Sequence, residues 1–176
     1  DKGVGLIVDT LAKTGQDKDT LIIFLSDNGR PFPGAKTTLY DEGIHLPLIV
    51  VSPNSAAKGI KNDAMVSWID IAPTVLDWFS DKSKVELPGK SLLAIIGDEH
   101  DVDRNTVFAS HSLHEIDQYF PMRAVRTRRF LYISNLSYQL PYPVSGDVQQ
   151  SKSWKSIVSN GSNLGHRKMD DFLHRP

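Results

Sequence analysis

An acid, an amide and a glycine close an apolar run at Ser26-Asp27-Asn28-Gly29, directly after Leu21-Ile22-Ile23-Phe24-Leu25. A buried strand ending this way carries side-chain oxygens to its carboxyl end, where ligands bind in open α/β sheets. A carboxylate and a carboxamide are oxygen donors of the kind a hard divalent cation such as calcium takes. The same pair also suits an Asx-turn, in which the side chains bond their own backbone. Neither residue holds calcium alone, because the ion takes about 6–8 oxygens. Lys36 follows after a loop rich in glycine and proline. A metal pair and a nearby cation together suit an anionic substrate, whereas most lysines are simply solvated.

The elements that must position these residues are readable in outline. Apolar spacing predicts a helix over 4–14 ended by Gly15, then a polar connector over 16–19. The runs 20–25 and 46–51 lack alternation, so both are expected as central strands of a parallel type, buried on both faces. Between them, 37–43 reads as one helical turn. Residues 65–68 read as a short strand or turn, and 70–79 as a helix with Asp70 as N-cap and Pro73 in its first turn. Strand, helix and strand in this order indicate an α/β sheet. Beyond Gly89, a short helix over 91–96 and a charged linker over 98–104 precede strands at 106–110 and 122–135. The last of these reads as a hairpin turning at Thr127-Arg128, with Val125, Phe130, Tyr132 and Ile133 as apolar positions. A loop over 139–148, a helix over 154–158, a polar flexible stretch over 159–164 and an element beginning at 170–173 complete the reading. Two units are expected, 1–98 and 99–176.

The totals bound the function classes. The chain has 176 residues, a formal net charge of −1 and no cysteine. Mixed charge argues against nucleic-acid binding by bulk electrostatics, and no apolar run is long enough to span a bilayer. Without cysteine there is neither a disulfide framework nor a thiolate metal site. No signal peptide opens the chain, and it starts at Asp1 without a methionine, which reads as an internal piece or a processed product.

Several segments resemble the sulfatase family in order. They are Ser26-Asp27-Asn28-Gly29, Pro31-Phe32-Pro33-Gly34-Ala35-Lys36, 39–47 and Ile69-Asp70-Ile71-Ala72-Pro73-Thr74-Val75-Leu76. In the second half, His114-Glu115, 119–127, Asn135-Leu136, Leu140-Pro141-Tyr142-Pro143 and 172–176 resemble that family's sulfamidase branch. The resemblance implies the C-terminal part of an α/β fold of alkaline-phosphatase type, a mixed sheet flanked by helices with a small C-terminal antiparallel sheet. It implies a sulfuric ester or sulfamate hydrolase acting on sulfated, glucosamine-containing glycans, N-sulfoglucosamine first among them. It further implies one calcium ion, with Asp27 and Asn28 as two of its ligands, and a formylglycine nucleophile made from an upstream cysteine that this sequence lacks. The chain alone is therefore expected to be inactive.

By the same resemblance Lys36 contacts a sulfate oxygen and stabilises transition-state charge. Some members of the branch carry arginine there, which donates as a fork where lysine is a point charge. His114 with Glu115 suits a sugar hydroxyl, a carboxylate or a proton transfer, or else a structural role holding the loop before the Met122 strand. His111 is a weaker example of the same kind. Arg123 and Arg126 suit acidic groups of a glycan. Both also suit outward strand positions, and Arg126 reads as outward. Arg30 reads as pocket-lining or solvated, and His45 as packed or capping. Trp68, Trp78 and Trp154 read as core or lobe packing. Asn135-Leu136-Ser137 and Asn160-Gly161-Ser162 fit the N-glycosylation pattern. A homodimer is compatible with the resemblance, and the compartment would be lysosomal in an animal, periplasmic or secreted in a bacterium. Two other readings stand beside this one: a phosphoryl-transfer relative on the same scaffold, and a glycan-binding homologue without catalysis.

Overall fold

The structure is a computed structural model describing residues 1–80, 85–115, 118–161, 163 and 168–174. It divides into two compact units, one formed by Asp1–Leu25 with Leu48–Asn105, the other by Ser26–Pro47 with Thr106–Pro176.

The first unit opens with helix α1 (Lys2–Thr14), which Gly15 ends in a left-handed conformation at φ 73°. A 3-10 turn at Gln16–Lys18 occupies the expected polar connector. Strands β1 (Ile22–Leu25) and β2 (Leu48–Val51) pair with Ile22 opposite Val51 and Leu25 opposite Leu48. The pairing is antiparallel, not the parallel arrangement expected. Phe24, Ile49 and Val51 are exposed, so burial on both faces is not seen either. A continuous apolar run reports a tendency to be covered but carries no information about strand direction. Here the direction follows from connection by the long excursion 26–47, with no helical crossover back to the same end.

Helix α3 (Ile71–Trp78) follows a 3-10 turn at Trp68–Asp70, and 65–67 form no strand. Helix α2 (Asp41–Ile44), which precedes β2 in the chain, belongs to the second unit. Asp70 proves to be more than a helix start. Its buried carboxylate accepts from Ser67 N (3.0 Å), Lys90 N (2.8 Å) and Arg104 Nη1 (3.1 Å). Arg104 also donates to Ser91 O at 2.8 Å. Thr74, fully buried, donates to Asp70 O (2.6 Å) and accepts from Leu92 N (2.8 Å). The charged stretch 98–104 is thus no linker. Asn62 bonds Ile95 O and Asp98 O, and Asp63 pairs with His100 at 2.8 Å. The 91–96 helix reduces to a 3-10 turn at Leu93–Ile95.

The second unit is built on a meander, β3 (Thr106–His114), β4 (Gln118–Thr127) and β5 (Leu131–Asn135), ordered β3-β4-β5. All pairings are antiparallel, and the register shifts once between His111 and Leu113. The β4–β5 turn closes by Thr127 N donating to Phe130 O at 2.8 Å, at the expected place. On β4, Phe120, Met122 and Ala124 alternate inward and meet Leu39, Tyr142, Val144, Val148 and Phe172 in one core. Of the four expected hairpin apolar positions, Ile133 packs on this core, while Phe130 and Tyr132 are exposed. Helices α4 (Gly146–Gln150), α5 (Lys152–Asn160) and α6 (Met169–His174) follow. Tyr142 N donates to Leu173 O at 2.6 Å, which ties the 142–144 segment to α6. The expected flexible stretch falls partly, and the closing Arg175-Pro176 wholly, outside the described residues.

Candidate active site

Every residue singled out for chemistry, Asp27, Asn28, Lys36, His114 and Arg123, lies in the second unit. The excursion 26–47 starts and ends together, with Ser26 N donating to Pro47 O at 3.4 Å. Asp27 and Asn28 are exposed at its beginning. Asn28 N donates to Asp27 Oδ1 at 2.9 Å, the local bond expected of an Asx pair. The Asn28 amide nitrogen donates to Gly29 O at 2.7 Å, which leaves the carboxamide oxygen as the outward donor. Carboxylate plus carboxamide oxygen is a donor set that fits a hard cation. Among the described residues no group of three or more His, Cys, Asp or Glu could hold a metal, so the pair would supply only part of a shell.

The loop behind the pair is folded tightly. A Cβ on Gly29 would sit 2.7 Å from Glu42 O, and one on Gly43 would sit 2.3 Å from Thr38 O. Only glycine allows these backbone approaches. Arg30 O accepts from Lys36 N at 3.2 Å, and the Arg30 guanidinium lies 5.6 Å over the Phe32 ring while remaining exposed. Thr37 has φ 68°, an uncommon conformation for a β-branched residue. It is held by its hydroxyl, 2.6 Å from Tyr142 Oη and 2.6 Å from Lys36 O. Tyr142 is buried edge-on to Phe120 (5.4 Å) and Phe172 (5.2 Å), and burial pushes its phenol up to about 12.

Lys36 Nζ lies 2.6 Å from Asp147 Oδ2 on α4. The ammonium beside Asp147 holds that carboxyl down at about 2. The other oxygen, Oδ1, accepts from Val148 N at 2.8 Å. His114 Nε2 lies 3.6 Å from Glu115 Oε1, and Glu115 accepts from Gln118 Nε2 (3.1 Å) and from Gly146 N (3.3 Å). Glu115 has φ 59°, a second non-glycine residue in the left-handed region. A path of contacts thus runs from His114 through Glu115 to Gly146, whose neighbour Asp147 holds Lys36.

Arg123 stands apart from that path. It is exposed and donates to Met122 O at 2.9 Å, with longer contacts at 3.4 Å to His111 O and Ser112 Oγ. Arg126 is not the outward residue expected. It pairs with both carboxylate oxygens of Asp41, at 2.9 and 3.3 Å, because α2 brings an acid against the end of β4. His111 has its Nδ1 3.0 Å from Phe120 O, and its Nε2 is buried without a hydrogen-bond partner among the described residues. The His45 side chain is exposed, and only its backbone N–H caps α2 on Asp41 O. Trp68, Trp78 and Trp154 are half-buried, and Trp154 packs on the core. The Asn135 amide nitrogen of the first sequon is buried, with no hydrogen-bond partner among the described residues. Ser162 of the other sequon lies outside the described residues.

Asp147, Thr37 and Tyr142 are not among the residues the sequence singles out for chemistry, and Glu115 enters that reading only beside His114. Tyr142 lies in a segment that carried the resemblance. The Lys36–Asp147 pairing, across a separation of 111 residues, leaves no local signal.

The loop 26–47 of this mixed α/β chain thus carries an acid, an amide and a paired lysine. The sulfatase family profile matches residues 1–81, and the chain belongs to the sulfatase family. It is 38% identical to N-sulphoglucosamine sulphohydrolase of Homo sapiens, over 90% of this chain and 33% of that protein. It is 31% identical to an ulvan-active sulfatase of Formosa agariphila, over 85% of this chain and 24% of that protein. The chain thus spans about a third of the length of the first of these relatives and about a quarter of the second. A protein solved in complex with its substrate, D-glucosamine-2-N,6-O-disulfate, shares the fold at a TM-score of 0.64. That match has 20% identity and covers 90% of this chain and 36% of the other. The expected α/β, alkaline-phosphatase-like fold class holds.

Proposed function

We propose that the protein of which this chain is a part hydrolyses the sulfamate or sulfate ester of a glucosamine-containing glycan, with N-sulfoglucosamine as the favoured unit. The observation that carries this reading is the 38% identity, over 90% of the chain, to a sulphohydrolase of N-sulphoglucosamine. Asp27 and Asn28 would hold part of a calcium shell, and the formylglycine would come from a cysteine outside this chain. When bound, those groups supply charge neutralisation and the nucleophile. Lys36 donates an N–H to a sulfate oxygen, which stabilises charge that grows as the S–N or S–O bond breaks. Arg123 has no carboxylate partner among the described residues, which leaves its charge for an acidic group of the glycan. His114, half-buried and steered by Glu115, contacts a sugar hydroxyl.

The test is sulfate release by the complete, formylglycine-bearing protein, offered N-sulfated glucosamine, 6-O-sulfated glucosamine and an aryl phosphate, with and without chelator. Chelator-sensitive release from the N-sulfated sugar is expected. Asp27→Ala and Asn28→Ala should each lower it by about 100-fold or more. Release only from the O-sulfated sugar would keep the sulfatase and overturn the sulfamate preference. Phosphate release alone would move the protein to phosphoryl transfer, and binding without release would make it a glycan-binding homologue.

A further inference from the structure

We propose that Asp147 is a positioning residue for Lys36, its carboxylate holding the ammonium at the place where a sulfate oxygen meets it. The inference rests on the reading above that Lys36 contacts sulfate. Lysine is a point charge on a flexible four-carbon stem, so its ammonium has no fixed place unless something holds it. Here the holder is itself fixed. Asp147 Oδ1 is engaged by Val148 N at 2.8 Å, which turns Oδ2 to Lys36 at 2.6 Å. Val148 is 2% exposed in the core, and Gly146 N donates to Glu115, so α4 is anchored on both sides of Asp147. The backbone behind Lys36 is fixed too, by the Thr37–Tyr142 hydroxyl contact.

Of the three ammonium N–H groups Asp147 takes one, which leaves two for an anion. The carboxylate stays ionised far below neutrality, so the pair is present wherever the enzyme works. A decorative ion pair would look different in function. Pairs this exposed add little to stability, so a purely structural Asp147 should be dispensable.

The experiment uses the complete, formylglycine-bearing protein with Asp147→Asn, Asp147→Glu, Lys36→Ala and the Lys36→Ala/Asp147→Asn double variant. Asp147→Asn should lower kcat for sulfate release about 10- to 100-fold, with KM changed less than about threefold and Tm within about 2 °C. Asp147→Glu should recover part of kcat. In the Lys36→Ala background, Asp147→Asn should have no further effect, because both act through one contact. In parallel, amine acylation of Lys36, followed by mass spectrometry at fixed pH, should run about threefold or more faster in Asp147→Asn, because the side chain is released from its 2.6 Å contact with the Asp147 carboxylate. An unchanged kcat, a lower KM with higher activity, or an additive loss in the double variant would each overturn the proposal. If wild-type protein releases no sulfate, the reading beneath has failed on its own. Equal acylation rates in wild type and Asp147→Asn would then overturn the pairing as well.

Discussion

Replacing Tyr142 by Phe removes one hydroxyl and keeps the ring between Phe120 and Phe172. The lost contact is the 2.6 Å bond to Thr37, the residue at φ 68° directly after Lys36. Near pH 8 this should cost about 1 kcal/mol, the net worth of one buried hydrogen bond. Raising the pH adds a second effect of opposite sign. The buried phenol titrates at about 12 and the unfolded one near 10. The folded state therefore holds the proton more tightly, and that stability is full below about pH 10 and lost as pH rises through about 12. At about 1.36 kcal/mol per unit, wild type forfeits about 1.4 kcal/mol by pH 11 and about 2.3 kcal/mol by pH 12, while Tyr142→Phe forfeits none of it. Urea unfolding of the complete protein and its Tyr142→Phe variant, at about pH 8, 10 and 11, reads the difference. Wild type should lead at pH 8, and the gap should close at about pH 11. The phenolate absorbance of wild type minus variant should rise at about pH 12. A gap that stays constant to pH 11, or a Tyr142 phenolate that appears near pH 10 with ordinary tyrosines, would refute the reasoning.

Two further outcomes follow from the geometry. Asp70→Asn should destabilise the first unit by about 3–5 kcal/mol in thermal unfolding, because Arg104 keeps a buried charge whose partner is gone. Full stability in that variant would mean Arg104 finds solvent. Gly43→Ala should abolish sulfate release by the complete protein, since the added Cβ would lie 2.3 Å from Thr38 O and force the loop carrying Asn28 and Lys36 to rearrange. Retained turnover would show that the loop tolerates another conformation.

How much of this was legible beforehand depends on the range over which each residue acts. Helix α1, its Gly15 stop, the β4–β5 turn and the short turn before β2 rest on local spacing and were anticipated. Strand direction was not, because Ile22–Leu25 and Leu48–Val51 announce burial and nothing about the partner's sense. The charge-rich 98–104 stretch read as solvent-exposed chain because its partners Asn62, Asp63 and Asp70 lie over thirty residues upstream. Arg126 was misplaced for the same reason, with Asp41 separated from it by 85 residues. In the candidate site, the oxygen pair Asp27-Asn28 and Lys36 were nameable from their types and order. The groups that hold Lys36 in place were not, since Asp147 and Tyr142 act from the far end of the chain.

That distance has a consequence for synthesis. The excursion 26–47 leaves β1 and returns to β2, yet Leu39 shares its buried core with Phe120, Met122, Tyr142, Val148 and Phe172, all far downstream. A ribosome delivers the loop of Asp27 and Lys36 long before it delivers the residues that cover it. Such non-local contacts form late and slowly. The loop that carries Asp27 and Lys36 is therefore among the last parts of the chain to complete its packing. A nonsense codon or a core lesion near α6 would loosen the packing behind Lys36 while leaving the sequence of its own loop intact.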